Sequence, residues 1–196
     1  MVALPRDTAR PDDMSTPTEP DDLTLARRVA TDRAALGALY DRYVNRIYGF
    51  CLRRLGDRDA AEDATSRTFL KALAALQAKP VRSGSFKAWI FTIAYHVMID
   101  DHRAARPTAP LMDASEVPES GSGPEDLAVA GESGRELHRL VALLSPDQRD
   151  VIHLRLADLT DREIGAVLGK RPGAIRTIQH RAVKRLRELT DERGLT

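Results

Sequence analysis

The chain has 196 residues, of which 42% are hydrophobic and 30% charged, with a net charge of +1. That supplies enough apolar material for a core and enough charge to coat it, while no apolar run reaches the length of a membrane span, so a wholly disordered or membrane-inserted chain is excluded. The single cysteine, Cys51, rules out an internal disulfide, and five scattered histidines without cysteine partners leave no metal-ligand spacing, so neither metal nor cofactor is expected.

The N-terminus carries acids and prolines where a signal peptide needs a basic start and an apolar middle. Residues 1–20 are therefore expected to be a disordered tail on a cytoplasmic protein, with Met14 as an alternative start. From Asp22 to His102 nearly every stretch reads as helix, broken at Gly56-Asp57 and between Lys79 and Ser85. Asp21 or Asp22 caps the first helix. The series Leu36, Leu39, Tyr40, Tyr43, Ile47, Phe50 steps by three and four, as one buried face does, and Cys51 beside Phe50 reads as a buried thiol. Asp59-Ala-Ala-Glu62 has capping-box spacing and opens a helix with Ala64, Phe69, Leu73 and Leu76 inward, ended by Pro80 and Gly84. Ser85 caps a strongly apolar helix to about Arg103, carrying Trp89, Ile90, Ile93, Ala94, Val97 and Met98.

Residues 104–126 change character, with four prolines and two glycines set among serines and acids, and are expected to form a flexible tether. Helical pattern resumes near Leu127. Leu137, Leu140, Val141 and Leu144 mark one amphipathic helix. Ser145-Pro146-Asp147-Gln148 supplies a cap, a proline at the first helical position and a capping-box Gln, ahead of Val151, Ile152, Leu154 and Leu156. Thr160-Asp-Arg-Glu163 is a second capping box, opening a short helix with Ile164, Val167 and Leu168 inward; Gly169 ends it and Pro172 starts the next. No strand pattern occurs. The expected fold is all-α, with two small helical domains at 21–103 and 127–196 joined by an acidic linker at 104–126.

The near-zero net charge conceals a segregation. The first 22 residues hold six acids and two bases, residues 107–126 hold five acids and no base, and Lys170 to Arg187 holds seven bases and no acid. A nucleic-acid binder with acidic tails shows this division. The span Thr160 to Arg187 reads as helix, glycine turn and second helix. The second helix has an apolar face of Ile175, Ala182, Leu186 and Leu189 for its own domain. Its other face, with Arg171, Ala174, Arg176, Thr177, His180, Arg181 and Lys184, suits DNA. Arg reads guanine through two hydrogen bonds, Thr reaches a base or a phosphate, and Lys184 suits phosphate. His96 and Arg103, two helical turns apart, share a face of the apolar helix and are placed to touch a nucleic-acid strand.

The blocks from Ala61 to Ala72 and Phe86 to Arg103, the acidic linker and the terminal helix-turn-helix together resemble a bacterial sigma factor of the minimal two-domain extracytoplasmic-function (ECF) group of the sigma-70 family. The resemblance covers about residues 22–103 and 127–190. It implies a first domain that binds the clamp helices of the RNA polymerase β′ subunit through Glu62, Asp63, Phe69 and Lys71, and that reads the −10 promoter element. The loop from Gln77 to Ser85 would capture a flipped base, with Lys79, Arg82 and Lys87 nearby and His96 where the family commonly has Asn. The second domain would touch the polymerase β flap and read the −35 element through Arg171, Ala174, Thr177, Ile178, His180 and Arg181. An anti-sigma factor that masks both DNA surfaces is also implied. Ser66 and Arg67 depart from the usual Gln-Glu pair, Ile178 from a usual Arg and Gln179 from a usual apolar residue. Two readings compete with this one. A stand-alone helix-turn-helix repressor or activator would bind palindromic half-sites. An enzyme would need more than Asp100 and Asp101, which diverge by about 100° on a helix, and no phosphate loop or nucleophile elbow occurs.

Overall fold

The computed structural model describes residues 20–79, 81, 83–104 and 131–192, with side chains for 20–79, 81, 83–100 and 136–192. Among the described residues the chain is all-α, as expected, with eight helices and no strand. They are α1 (Asp22–Arg28), α2 (Arg33–Leu55), α3 (Arg58–Ala78), α4 (Phe86–Ala104), α5 (Gly131–Ala142), α6 (Pro146–Arg155), α7 (Asp161–Leu168) and α8 (Pro172–Glu192). The tail before Pro20, the proline-rich linker and the alternative start at Met14 lie outside the described residues.

Short polar side chains set the helix starts, because each satisfies a backbone N–H that the first turn leaves unpaired. Asp21 accepts from the Thr24 N–H at 2.7 Å and Asp32 from that of Ala34 at 2.9 Å. The Asp32 cap marks a break between α1 and α2 that a continuous apolar pattern had hidden. Likewise α3 opens on Asp57, which accepts from the Ala60 N–H at 2.7 Å, rather than on the Asp59-to-Glu62 box expected from spacing. Gly56, at φ 72°, ends α2 in the left-handed region that glycine adopts without strain. The Ser85 cap of α4 is as expected, with its Oγ accepting from the Ala88 N–H at 3.2 Å.

Helices α1 to α4 pack around Leu39, Ile47, Phe50, Leu76, Ile90, Phe91 and Val97, all essentially inaccessible to water. Phe50 meets Phe91 with ring centroids 5.4 Å apart. Asp22 pins α1 onto α2, accepting from Tyr43 Oη and, at 2.8 Å, from Arg42. The buried face of α3 is smaller than expected, made by Ala61, Ala64, Thr65, Thr68, Ala72 and Leu76, and the two threonine hydroxyls donate to carbonyls four residues back. Phe69 is only half-buried and stacks on Tyr40, which is exposed rather than inward. Cys51 is buried, and that burial pushes its thiol pKa up to about 11.

In the second helical group α8 lies across α6 and α7. Val141, Leu144, Ile152 and Ala182 form one small cluster where α5, α6 and α8 meet. Leu137 is half exposed, so the inward face of α5 is narrower than its sequence pattern. Val151, Leu154, Ala157, Leu159, Ile164, Val167 and Ile175 of this group join the same continuous apolar cluster as Phe86, Ile90 and Val97 of α4. The two helical groups therefore share a core in this structure, an arrangement the expectation of two tethered domains did not contain.

Candidate nucleic-acid interface

The α7–α8 unit is a helix-turn-helix whose tight turn depends on two glycines. Gly169, at φ 65°, ends α7. Gly165 faces the returning chain so closely that an added Cβ would lie 2.5 Å from the Lys170 carbonyl oxygen, and its own carbonyl accepts from the Lys170 N–H at 2.9 Å. A glycine inside a helical pattern was the only sequence sign of this close approach. The start of α7 is fixed by the expected box: Thr160 Oγ1 accepts from the Glu163 N–H at 3.3 Å, and Glu163 accepts from the Thr160 N–H at 2.8 Å.

With the turn fixed, α8 buries Ile175, Ala182 and Leu189 and presents Ala174, Arg176, Thr177, His180, Arg181 and Lys184 on the exposed side, with Arg171 exposed in the turn just before it. Among the described residues Arg171, Arg181 and Arg187 have no ion-pair partner, while Lys184 lies 3.9 Å from Glu188 and Arg176 lies 3.9 Å from Asp161. Ile178 departs from this face. It is half-buried and packs against the apolar cluster, so much of its side chain is held by the protein. Gln179 has a role that spacing could not show: its Oε1 accepts from Arg155 Nε at 3.2 Å and Nη2 at 2.7 Å. Arg155 also donates to Asp161 and to the Leu159 carbonyl, so one guanidinium ties the end of α6 to the starts of α7 and the middle of α8. A polar Gln where an apolar residue was expected was the available signal.

The candidate residues of the first group fall into two sets. Glu62 and Asp63 are exposed on α3. Asp63 pairs with Arg67 at 3.4 Å, and Lys71 with Asp100 at 3.4 Å, next to the half-buried Phe69. Lys79 is exposed where α3 ends, and His96 is exposed on α4. The side chains of Arg82 and Arg103 lie outside the described residues. Lys87 is not open: its Nζ donates to the Asp158 carbonyl at 2.9 Å and pairs with Glu163 at 3.2 Å.

That pairing belongs to a polar seam between α2 or α4 and α6 or α7, which sequence reading missed altogether. Asp150, 7% exposed, accepts from the Arg54 guanidinium and, at 2.7 Å, from the Tyr95 hydroxyl. Arg46 donates to the Ala157 carbonyl at 2.9 Å, and Ser85 Oγ to Glu163 at 2.6 Å. Burial alone would raise the Glu163 pKa, but hydrogen bonds from Ser85, Thr160 and Lys87 outweigh it, and the carboxyl is lowered. Burial also lowers the Arg54 guanidinium from its usual value. Beside this seam His153 is 4% exposed with Nδ1 unpartnered. Burial, with Arg54, Arg53, His138 and Arg149 around it, depresses its pKa to about 3.

A helix-turn-helix with an exposed cationic helix, joined to a four-helix unit, defines a DNA-binding transcription protein. The family model for Sigma-70 region 2 matches residues 39–108, and the one for Sigma-70, region 4 matches residues 140–188. The ECF RNA polymerase sigma factor SigD of Mycobacterium tuberculosis is 32% identical over 176 residues, covering 85% of this chain and 82% of SigD. The ECF RNA polymerase sigma factor BldN of Streptomyces coelicolor is 37% identical over 171 residues, covering 84% of this chain and 64% of BldN. Among solved structures, CnrH in complex with the cytosolic domain of CnrY shares the fold at a TM-score of 0.66 and 24% identity, covering 87% of this chain and 97% of that one. The chain belongs to the ECF RNA polymerase sigma factors. Sigma factors are transcription initiation factors, not enzymes, and the stand-alone repressor or activator reading is not favoured. Among the described residues no helix is long and apolar enough to cross a membrane.

Proposed function

We propose that this chain, as a dissociable cytoplasmic subunit, binds core RNA polymerase and directs initiation at promoters with two separate elements. The observation that carries this reading is the presence in one chain of both sigma-70 regions, the second ending in a capped helix-turn-helix whose cations face outward. In this reading α8 lies in the major groove of the −35 element. Arg181 and Arg171 take base edges, Thr177 and Ala174 lie close to the groove floor, and Arg176, His180 and Lys184 hold phosphates. Ile178, half-buried, offers the groove only part of its apolar side chain. The loop between Lys79 and Ser85, with Arg82, Lys87, His96 and Arg103, takes the −10 single strand, where an unstacked base needs a pocket and its phosphates need cations.

Polymerase contact is assigned to Glu62, Asp63, Phe69 and Lys71 against the β′ clamp helices. The exposed Tyr40 beside Phe69 adds an aromatic edge to this patch, of the kind that anchors protein interfaces. The second group meets the β flap. An anti-sigma partner is proposed because CnrH, which shares the fold, was solved with the cytosolic domain of another protein. Start-site mapping with purified core polymerase tests the reading. Discrete starts that require this chain are expected; starts that are unchanged by its omission would end the proposal.

A further inference from the structure

We propose that Arg155 is a positioning residue for base recognition: its hydrogen bonds to Gln179 and Asp161 fix the roll of α8 about its own axis, and with it how sharply the −35 bases are discriminated. The inference rests on the sigma-factor reading above, and its test separates the two.

Arg155 closes α6, and its side chain is 32% exposed. Its Nε and Nη2 donate to Gln179 Oε1 at 3.2 and 2.7 Å, Nη2 donates also to Asp161, and Nη1 to the Leu159 carbonyl at 2.8 Å. Three consecutive helices of the second group thus meet on one planar cation, whose rigid fork fixes the directions of its bonds as well as their lengths. Leu159 is 1% exposed, so the carbonyl it offers belongs to the core and not to a loose connection. Asp161 opens α7, where a carboxylate also suits the positive end of the helix.

The apolar side of α8 does not supply the same control. Ile175, Ala182 and Leu189 recur every seven residues and make a narrow stripe with an alanine at its centre. Apolar burial is non-directional, so it holds a helix down without defining its roll. Gln179 stands on the shoulder of this stripe, where two directional bonds from Arg155 resist rotation. Thr177 and Arg181 lie two residues to either side of Gln179, which at about 100° per residue puts them across the helix from it, facing the groove. A roll of about 10° carries side-chain tips about 6 Å from the axis through about 1 Å. Base contacts that depend on paired hydrogen bonds do not survive a displacement of that size.

Gln179 is not placed to read a base itself. It is half-buried, and its carbonyl oxygen is committed twice to Arg155. Asp161 has a second cation in range, Arg176 Nε at 3.9 Å, whose side chain is 73% exposed. With Arg155 on the carboxylate, Arg176 is left to solvent and to phosphate. Removing Arg155 therefore has two consequences: α8 loses its stop, and Asp161 is left to draw Arg176 away from the backbone of the duplex. Removing the Gln179 acceptor has only the first.

Selection from a duplex library randomised over the upstream element, by the full chain alone and with core polymerase added, tests the proposal. Gln179→Met keeps the volume and removes the acceptor. It is expected to retain the parent's helicity and its affinity for unselected duplex, while enrichment of preferred sequences falls about tenfold, spread over the positions read by Thr177 and Arg181. Gln179→Glu, which keeps an acceptor for Arg155, is expected to hold the parent's base preferences. Arg155→Met should lose the same discrimination and also bind every duplex more weakly. Combining it with Gln179→Met should cost no further discrimination, because both changes remove one contact. If Gln179→Met loses helicity, Arg155→Lys, whose ammonium lacks the planar fork, takes its place with the same expectation for discrimination. Unchanged enrichment in a folded variant would overturn the proposal. So would a loss confined to one base position, which would make Gln179 a direct reader, or an equal loss of affinity for every duplex, the mark of a merely structural contact. A parent chain that enriches no sequence in either arm would overturn it as well. Enrichment that is indifferent to polymerase, and that Gln179→Met still blunts, would refute the sigma-factor reading and leave the positioning role supported.

Discussion

Two cationic surfaces of this molecule stand in opposite states. Along α8 and the turn before it, Arg171, Arg181 and Arg187 are exposed without an ion-paired acid among the described residues, on a helix that buries only one narrow stripe. Across α2 and the start of α4, Arg46, Arg54 and Lys87 are each engaged by a carboxylate or carbonyl of the second helical group. The contrast separates affinity from architecture. Open cations supply salt-dependent attraction to phosphate and cost the fold little when removed, whereas half-buried cations are bound up with their partners and their removal is felt in stability.

The largest effect should come from breaking the engaged surface. Asp150→Ala leaves Arg54 half-buried without its carboxylate and should destabilise the folded chain by about 3–5 kcal/mol in denaturant unfolding. Adding Arg54→Leu should recover much of that loss, because the orphaned charge disappears with it. On the open surface Arg181→Ala should leave stability unchanged and weaken −35 duplex binding by about 1–3 kcal/mol, with relaxed preference at one base position, as read by competition.

Acid sharpens the difference further. His153 is neutral in the folded chain with a pKa depressed to about 3, against about 6.5 when unfolded, so the unfolded state binds more protons between these values. Stability is then complete above about pH 6.5 and falls as pH drops toward 3, with a loss of about 2 kcal/mol between pH 7 and pH 5. His153→Leu should flatten that dependence in unfolding measured at the two pH values. The smallest effect belongs to Lys184→Ala, which should weaken binding to all duplexes alike and reduce the slope of log affinity against log salt by about 1.

Much of the fold was legible because local chemistry wrote it. The caps at Ser85 and Thr160, the prolines opening α6 and α8, and the apolar stripe of α8 are visible within a few residues of sequence, and the structure has them where spacing puts them. Weaker local signals were misplaced. Asp57 competes with Asp59 as a cap and takes the start of α3, and Asp32 interrupts what reads as one helix. Tyr40 sits at helical spacing with the core, yet stacks outward on Phe69, since periodicity cannot tell a ring that packs within the core from one that packs over it.

The seam was not legible for a different reason. Arg54 and Asp150 lie 96 positions apart and Ser85 and Glu163 lie 78 apart, so no local pattern links them. Glu163 had a sufficient local explanation as a capping residue, which concealed its second role. The exposed face of α8 was readable for the converse reason: a row of bases without acids is itself a sequence pattern, and a helix that presents it needs no distant partner to explain it.

Transcription from a randomised promoter library, with core polymerase and this chain as its only sigma factor, tests the central claim most directly. Selected sequences should carry two elements at a fixed spacing, and Arg181→Ala should change the upstream element alone. Selection of a single or palindromic site, or starts that do not depend on the chain, would contradict the account.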